Sequence, residues 1–298
     1  MLSPTPRAVL AALIGQGIGP SLTPPMHELE GARHGMRYIY RRIEFHAQQD
    51  SADDLARLLD YSRRAGFDGL NITFPAKQMV VPLLDELAPS ARMIGAVNTV
   101  VFSEGQTIGH NTDVTGFKAS LDDALGAGTC GRVVLVGAGG AGSAVAHALV
   151  MRGADALTIV DVDRQKVAAL QESLLASHGF RAAGAGPDEL PGLTASAEGI
   201  VNATPFGMAH HPGAPFDPAL IDPAHWVADV VYRPVDTELM NEARSRGALT
   251  ITGLGMAMHQ AADAFEIFTG ESADRTSMLA DLNDLIAAEN AQRRAPLH

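Results

Sequence analysis

Four short stretches in the first 113 residues concentrate hydroxyl, amide, ammonium and carboxylate side chains. They are GPSLTPPMH (19–27), NITFPAK (71–77), GAVNTV (95–100) and GHNTD (109–113). Together they present Ser21, Thr23, Asn71, Thr73, Lys77, Asn98, Asn111 and Asp113, with little aromatic material between them. Hydroxyls and a cation hold a carboxylate, while amides and an acid hold alcohols, so this inventory suits a small polyhydroxylated acid. Each residue alone has an ordinary reading: Ser21 and Thr23 as turn or cap residues, Asn98 as a turn residue, Lys77 as a solvated helix residue. Lys77 is the least comfortable of them. A strand over 70–74 would put Asn71 and Thr73 on one face. Pro75, which has no N–H to donate, would end it. Lys77 would then stand near the start of a mainly helical QMVVPLLDEL, where the helix dipole favours anions.

A second constellation lies further on. The run VVLVGAGGAG supplies Gly137, Gly139, Gly140 and Gly142 with G-x-G-x-x-G spacing, after an expected strand and before an expected helix. The first glycine permits a tight turn, the second lets backbone approach a pyrophosphate, and the third lets the helix pack on the strand. The next expected strand ends TIVDVD, which places Asp161 about twenty residues on, where a carboxylate accepts the ribose hydroxyls of NAD. A tight turn with no ligand does not call for four glycines plus an acid at that place. Asp161 would repel the 2′-phosphate of NADP, which disfavours that cofactor, although Arg164 and Lys166 follow closely.

These groups need elements to position them. AVLAALIG reads as a buried strand, MHELEGARHG as a helix ending at Gly35, and RYIYRRIEF as an alternating strand. SADDLARLLDYSRRAGF reads as a helix with Ser51 as N-cap. FDGLNITF is the next strand, and IGAVNTVVF and TIGHNTD are two strands joined by SEGQ. A second section begins near residue 114 with the helix VTGFKASLDDAL. It continues as strand, glycine turn, helix, strand and helix, then the strands GIVNATP and WVADVVY, the helix TELMNEARSRGA and a short strand LTITG. Two helices, LGMAMHQAADAFEIFTG and SMLADLNDLIAAENAQRR, follow, and HHPGAPFDP (210–218) is a loop.

Bulk properties bound the function class. The chain has 298 residues, 46% of them hydrophobic and 19% charged, which suits two folded domains and argues against disorder. Its net charge of −12 disfavours nucleic acid and anionic membranes as general partners. The single cysteine, Cys130, excludes an intrachain disulfide and suits a reducing cytoplasm. AVLAALIGQGIG has a signal-like core, but only Arg7 precedes it and no small-residue cleavage pattern follows. No apolar run approaches membrane-spanning length. Of eleven histidines only His210 and His211 are adjacent, and none has H-E-x-x-H spacing, so no metal is expected.

Seven motifs in order, SLTPPMH, NITFPAK, GAVNTV, NTDVTGF, VGAGGAG, NATPFGM and GLGMAMHQAADAF, resemble the shikimate dehydrogenase family over nearly the whole chain. Within it the likeness is greatest to the quinate/shikimate branch. Members usually carry S-x-S at the first motif, and Ser21-Leu22-Thr23 is similar to the quinate-using branch. NADP-using members carry Asn-Arg-Thr and a further arginine after the second cofactor strand. Here Val162 and Lys166 stand in the arginines' places, in agreement with the Asp161 argument for NAD.

The resemblance implies an α/β protein of two domains. An N-terminal α/β substrate domain (1–113), completed by C-terminal helices (253–298), accompanies a Rossmann dinucleotide-binding domain (114–252), with the active site in the cleft between them. It implies that Lys77 and Asp113 are catalytic and that Ser21 and Thr23 hold the substrate carboxylate. Asn71, Thr73, Asn98 and Gln260 would hold ring hydroxyls, and Tyr232 would reach the substrate from the cofactor domain. Gly137, Ala138, Gly139, Gly140, Ala141, Gly142, Asp161, Asn202, Ala203, Thr204, Val230 and Gly255 would line the cofactor. The expected reaction is NAD-linked oxidation of the ring C3 hydroxyl of quinate or shikimate to the ketone. A lysine ammonium holds its proton at neutral pH unless burial or neighbours favour the amine, and a carboxylate nearby favours the ammonium. Acid and base roles would then belong to the pair. The alternatives are an NADP-linked biosynthetic shikimate dehydrogenase, a quinate- or shikimate-binding homologue with weak or no catalysis, and a folate-linked dehydrogenase of similar plan. The expected partner is a small hydroxy acid; RYIYRRIEF and neighbouring helices offer a surface for a homodimer, which nothing in the sequence demands.

Overall fold

The structure, a computed structural model, describes residues 6–294; the extreme ends of the span expected for the substrate domain, 1–5 and 295–298, lie outside the described residues. In chain order the first section contains β1 (Ala8–Gly15), α1 (Thr23–Arg33), β2 (Arg37–Glu44), α2 (Ala52–Arg64), β3 (Gly69–Ile72) and α3 (Ala76–Met79). It continues with β4 (Glu86–Leu87), α4 (Pro89–Ile94), β5 (Thr99–Ser103) and β6 (Gln106–His110). The second section contains α5 (Thr112–Leu125), β7 (Arg132–Val136), α6 (Gly140–Met151), β8 (Ala156–Val160), α7 (Arg164–His178), β9 (Ala183–Ala185) and α8 (Leu190–Thr194). Then come β10 (Gly199–Asn202), β11 (Trp226–Asp229), α9 (Glu238–Ser245), β12 (Leu249–Ile251), α10 (Gly253–Thr269) and α11 (Arg275–Arg294). The chain divides into two compact units. One runs up to Thr112 and resumes at Gln260, and the other is Asp113–His259.

The first unit is built on a mixed sheet of order β2-β1-β3-β5-β6-β4. β1 runs parallel to both β2 and β3, whereas β5 is antiparallel to β3 and β6. The β5–β6 connection is the SEGQ turn, with positive φ at Glu104 and Gly105, the backbone that a two-residue hairpin needs. Both faces of β1 are covered, which explains its unbroken apolar run. Ala12 and Ile14 pack with Leu55 and Leu59 of α2 on one side. Val9, Ala11 and Leu13 pack with Phe265 and Phe268 of α10 on the other. α2 starts as its sequence dictates: the Ser51 and Asp54 side chains form a reciprocal capping box.

The second unit holds a fully parallel sheet of order β12-β11-β10-β7-β8-β9. Counted within the unit this is 4-5-6 on one side of the first strand and 2-3 on the other, the doubly wound dinucleotide-binding order. The order reverses between β7 and β10, so their carboxyl ends form the switch point where such sheets bind ligands. Val134, Val136, Val160, Ile200 and Val227 join Leu239 and Met240 of α9 in one core cluster.

Three local expectations need correction, and two short elements went unread. QMVVPLLDEL is not mainly helical: α3 is a single turn, Val81–Leu83 is a separate 3-10 turn, and Glu86–Leu87 is a strand. Pro82 lacks an N–H for an α-helical bond and disfavours helix before it. Lys77 therefore sits in a one-turn helix with little macrodipole to oppose it. The expected strand IGAVNTVVF begins only at Thr99, as β5: Ile94 closes α4 (Pro89–Ile94), which stops at Gly95 with positive φ. α1 begins three residues before Met26, with Pro24 and Pro25 in its first turn, where a missing N–H costs no helical bond. β9 and α8 are too short to show a period. Among the described residues no helix is long and apolar enough to cross a membrane.

Candidate active site

In the first unit, backbone hydrogen bonds lace three of the four polar stretches together. The Thr73 N–H donates to the Ile14 carbonyl at the end of β1 (2.9 Å), and the Ile72 N–H to the Asn98 carbonyl (2.8 Å). The Val97 N–H donates to the Lys77 carbonyl (2.9 Å) and the Asn98 N–H to the His110 carbonyl (3.1 Å). Gly15 makes the first of these approaches possible, since a Cβ there would stand 2.2 Å from Thr73 Cγ2 and 3.0 Å from the Phe74 carbonyl. Phe74–Pro75 is a cis peptide, and Thr73 and Lys77, on either side of it, are half-buried.

The side chains beneath form one polar cluster. Asn71, Asn98, Thr99 and Thr112 are all at most 4% exposed. The Asn71 amide donates to the Asn98 carbonyl (3.2 Å) and to Thr99 Oγ1 (2.9 Å), and its Oδ1 accepts from the Tyr40 hydroxyl (2.5 Å). Asn98 Oδ1 accepts from the Thr112 N–H (2.8 Å) and from Thr99 Oγ1 (3.0 Å), while its amide donates to Thr112 Oγ1 (3.0 Å). Asn111 also shapes the loop, donating its amide to the Ala96 carbonyl (3.0 Å). Ser21 and Thr23 are held separately at the start of α1: the Thr23 N–H donates to Ser21 Oγ (3.3 Å), and Arg42 donates to the Ser21 carbonyl (2.7 Å). Because Pro24 and Pro25 lack N–H groups, donors for an anion at this helix end fall to the two hydroxyls, assisted by the dipole. Gln260 lies half-buried in the span of α10 that belongs to this unit.

In the second unit the glycine loop meets the steric demands read from its spacing. Gly137 has φ +106, and a Cβ on it would stand 2.8 Å from the Ala203 carbonyl. A Cβ on Gly142 would stand 2.0 Å from the Gly137 carbonyl, so only glycine lets α6 approach β7. Gly139 and Gly140 face open space, with Ala141 exposed beside them at the start of α6. Asp161, just past β8, is tied to this loop: Oδ2 accepts from the Ala138 N–H (2.7 Å) and Oδ1 from the Asp163 N–H (2.9 Å). Val162 beside it is 85% exposed. The Ala203 N–H donates to the Val136 carbonyl (2.8 Å), which sets the loop after β10 against the end of β7 at the switch point.

Asn202 shapes that loop with its whole side chain. Its amide donates to the Phe206 carbonyl (3.0 Å) and to Asp229 Oδ1 (2.9 Å), and its Oδ1 accepts from the N–H and hydroxyl of Thr204 (2.9 and 2.6 Å). Asp229 is 1% exposed. It also accepts from the Val231 N–H (2.9 Å) and the Thr237 hydroxyl (2.8 Å). Burial pushes its carboxyl up to about 6, against the opposing pull of those donors. Val230 continues the ladder by donating to the Asn202 carbonyl (3.0 Å), and Tyr232 follows, half-buried. Gly255 packs against α5, where a Cβ would stand 2.3 Å from Ser120 Oγ. Asp113 is half-buried in the first turn of α5. Among the described residues no group of three or more His, Cys, Asp or Glu side chains could hold a metal ion. His27 lies in the core, where burial lowers it to about 3 and keeps it neutral.

Known proteins carry this arrangement. The family model for the shikimate dehydrogenase substrate binding domain matches residues 13–100, and that for the shikimate 5'-dehydrogenase C-terminal domain matches 253–281. A shikimate dehydrogenase (NADP(+)) of Streptomyces avermitilis is 52% identical over 282 residues, covering 94% of this chain and 97% of its own. The chain belongs to the shikimate dehydrogenase family. A quinate/shikimate dehydrogenase (NAD(+)) of Corynebacterium efficiens is 47% identical over 275 residues, 92% of this chain and 97% of its own. The structure of quinate dehydrogenase from Corynebacterium glutamicum in complex with NAD superposes with a TM-score of 0.89 at 44% identity, over 93% of this chain and 99% of that one. Kinship thus gives oxidoreductase chemistry with a nicotinamide dinucleotide and does not choose between the two dinucleotides.

Several supporting residues of this family member were not singled out from its sequence. Thr99 and Thr112 were adjacent to chosen residues, but nothing local marks a threonine as a link between two asparagines. Tyr40 shares the buried face of β2 with Tyr38, which alternation does show; the target of its hydroxyl, 31 residues away, is not visible. Asp229 did leave a signal: a carboxylate inside the apolar WVADVVY requires buried partners.

Proposed function

We propose that this family member is an NAD-linked dehydrogenase that reversibly oxidises the ring C3 hydroxyl of quinate and shikimate. The observation that carries the choice of NAD is the seating of Asp161. Its carboxylate is pinned at the carboxyl end of β8 by two backbone N–H groups, one from the glycine loop, with exposed Val162 next to it. An anion fixed there favours ribose hydroxyls and opposes a 2′-phosphate. The cradle fits a dinucleotide: glycine is sterically required at 137 and 142, open at 139 and 140, and followed by a twelve-residue helix whose N-terminus favours a pyrophosphate. Gly137 to Gly142, Asp161, Asn202 to Thr204, Val230 and Gly255 are the proposed cofactor residues. When bound, the nicotinamide supplies the hydride acceptor.

This chain's own part is binding, orientation and proton handling. Ser21 and Thr23 are proposed to hold the carboxylate, and Thr73, Asn98, Gln260 and Tyr232 the ring hydroxyls; Asn71, expected among the latter, has both amide hydrogens committed to the Asn98 carbonyl and Thr99 Oγ1 and is proposed to support Asn98 instead. Asn98 suits this role, because its second amide N–H has no partner among the described residues. Lys77 and Asp113 are proposed to handle the alcohol proton as a pair: Asp113 orients the ammonium and the reacting hydroxyl, and Lys77 takes or gives the proton. The competing reading, an NADP-linked shikimate dehydrogenase, is favoured by the 52% identity to a relative of that name and by Arg164 and Lys166. Those two cations face acids, Arg164 at 3.4 Å from Glu189 and Lys166 at 3.9 Å from Asp163. The test is a steady-state assay of reduced nicotinamide with quinate or shikimate and with NAD or NADP. Turnover of the acids with NAD at a specificity constant well above that with NADP is expected. A preference for NADP would overturn the cofactor assignment, and no turnover with either acid would overturn the activity.

A further inference from the structure

The buried polar cluster of the first unit has a direction. The Asn98 carbonyl can only accept, so the Asn71 group facing it must be the amide nitrogen, and Asn71 Oδ1 must face Tyr40. The Tyr40 hydroxyl is therefore the donor to Asn71. Likewise the Thr112 N–H can only donate, which fixes Asn98 Oδ1 toward it. Thr99 Oγ1 accepts from Asn71 and so turns its own hydrogen to Asn98 Oδ1. Both amide hydrogens of Asn71 are committed inside the unit, and one lone pair of its oxygen is taken. Asn98 commits one amide hydrogen, to Thr112, and retains the other.

We propose that Tyr40, Asn71 and Thr99 form a one-way hydrogen-bond relay that positions the free amide N–H of Asn98 for a ring hydroxyl of the substrate. Asn71 is then a positioning residue. This rests on the assignment of Asn98 to the substrate made above. The relay is polar but uncharged, and Tyr40 is buried, where desolvation raises its phenol well above the ordinary range and keeps it a donor. Without the Tyr40 hydroxyl, Asn71 Oδ1 is a buried acceptor lacking its donor, and the amide is released to turn. A turn of Asn71 removes the donor that orients Thr99, and the error passes to Asn98.

The test is a double-mutant cycle on the full-length enzyme with Tyr40→Phe, Asn98→Ala and the pair, reading kcat and KM for the acid, KM for NAD, and melting temperature. Tyr40→Phe is expected to lower kcat/KM for the acid about fivefold while leaving KM for NAD within about twofold, the size of one oriented hydrogen bond. In the Asn98→Ala background the same change is expected to cost less than about twofold, because the residue it acts through is gone. Thr99→Val, which cuts the relay at its last link before Asn98, gives the same pattern and serves if Tyr40→Phe does not fold. Equal losses in both backgrounds, or no loss in the parent, would overturn the relay while the parent's turnover upheld the function. Absence of turnover by the parent enzyme would overturn the functional reading and this proposal with it.

Discussion

Asn98, just before β5, and Asn202, at the end of β10, stand at comparable places in the two units and are held by different chemistry. Asn98 is oriented by neutral partners, Thr99 and Thr112, with Tyr40 and Asn71 behind them. Asn202 is oriented by a buried carboxylate, Asp229, and by the loop it caps. Asn98 retains an amide hydrogen, whereas all of Asn202 is turned inward. The difference separates two tasks. A side chain that is to meet a ligand keeps a donor, and its supports are arranged so as not to titrate. A side chain that is to shape backbone for a ligand can be saturated, and a carboxylate serves because it accepts several N–H groups at once.

The sharpest break between the units should come from Lys77→Ala. With Lys77, in the first unit, assigned to take or give the proton, kcat should fall about a hundred- to ten-thousand-fold. NAD affinity and melting temperature should stay near the parent's. Rapid-mix kinetics with a parallel NAD titration checks this; equal losses of kcat and of acid binding would move Lys77 to a binding role.

Asp229 tests the charged support. Its native carboxyl titrates near 6 against an ordinary 3.8, so the native state binds the proton more tightly than the unfolded chain. The stability it contributes is full below pH 4 and declines to a plateau above pH 6, a loss of roughly 3 kcal/mol. Asp229→Asn keeps the acceptor toward Asn202 and Val231 and removes the titration. Urea unfolding at several pH values should show that decline in the parent and a flatter profile in the variant. Identical profiles would remove the charge from the account. A smaller effect is expected from Gly142→Ala, whose Cβ would stand 2.0 Å from the Gly137 carbonyl. Stability should drop about 1–3 kcal/mol as the loop is forced aside, and NAD binding should weaken while acid binding, read by calorimetry without cofactor, stays as it was.

Much of the second unit was legible because its constraints are local. Gly137 answers a contact with the end of the adjacent strand and Gly142 one within the loop, Gly139 and Gly140 leave the loop open, and the strand–turn–helix rhythm carries the motif. The first unit was legible in its long elements, β1, β2 and α2, where burial on two faces, alternation and the Ser51 cap leave plain patterns. Its short elements were not: α3 is cut by Pro82, and α4 has one turn and a half of mixed composition. The polar clusters announced which residue types were present but not which would face a ligand. That depends on Tyr40 meeting Asn71 across 31 residues and Asn202 meeting Asp229 across 27, which only the folded sheets bring together.

The most direct test of the central claim follows the hydrogen itself. Shikimate carrying deuterium on ring C3 would be incubated with the enzyme and NAD, and both products analysed by mass spectrometry. The account predicts the label in the reduced nicotinamide and a 3-keto acid without it. Label retained in the acid, with no reduced nicotinamide formed, would contradict it.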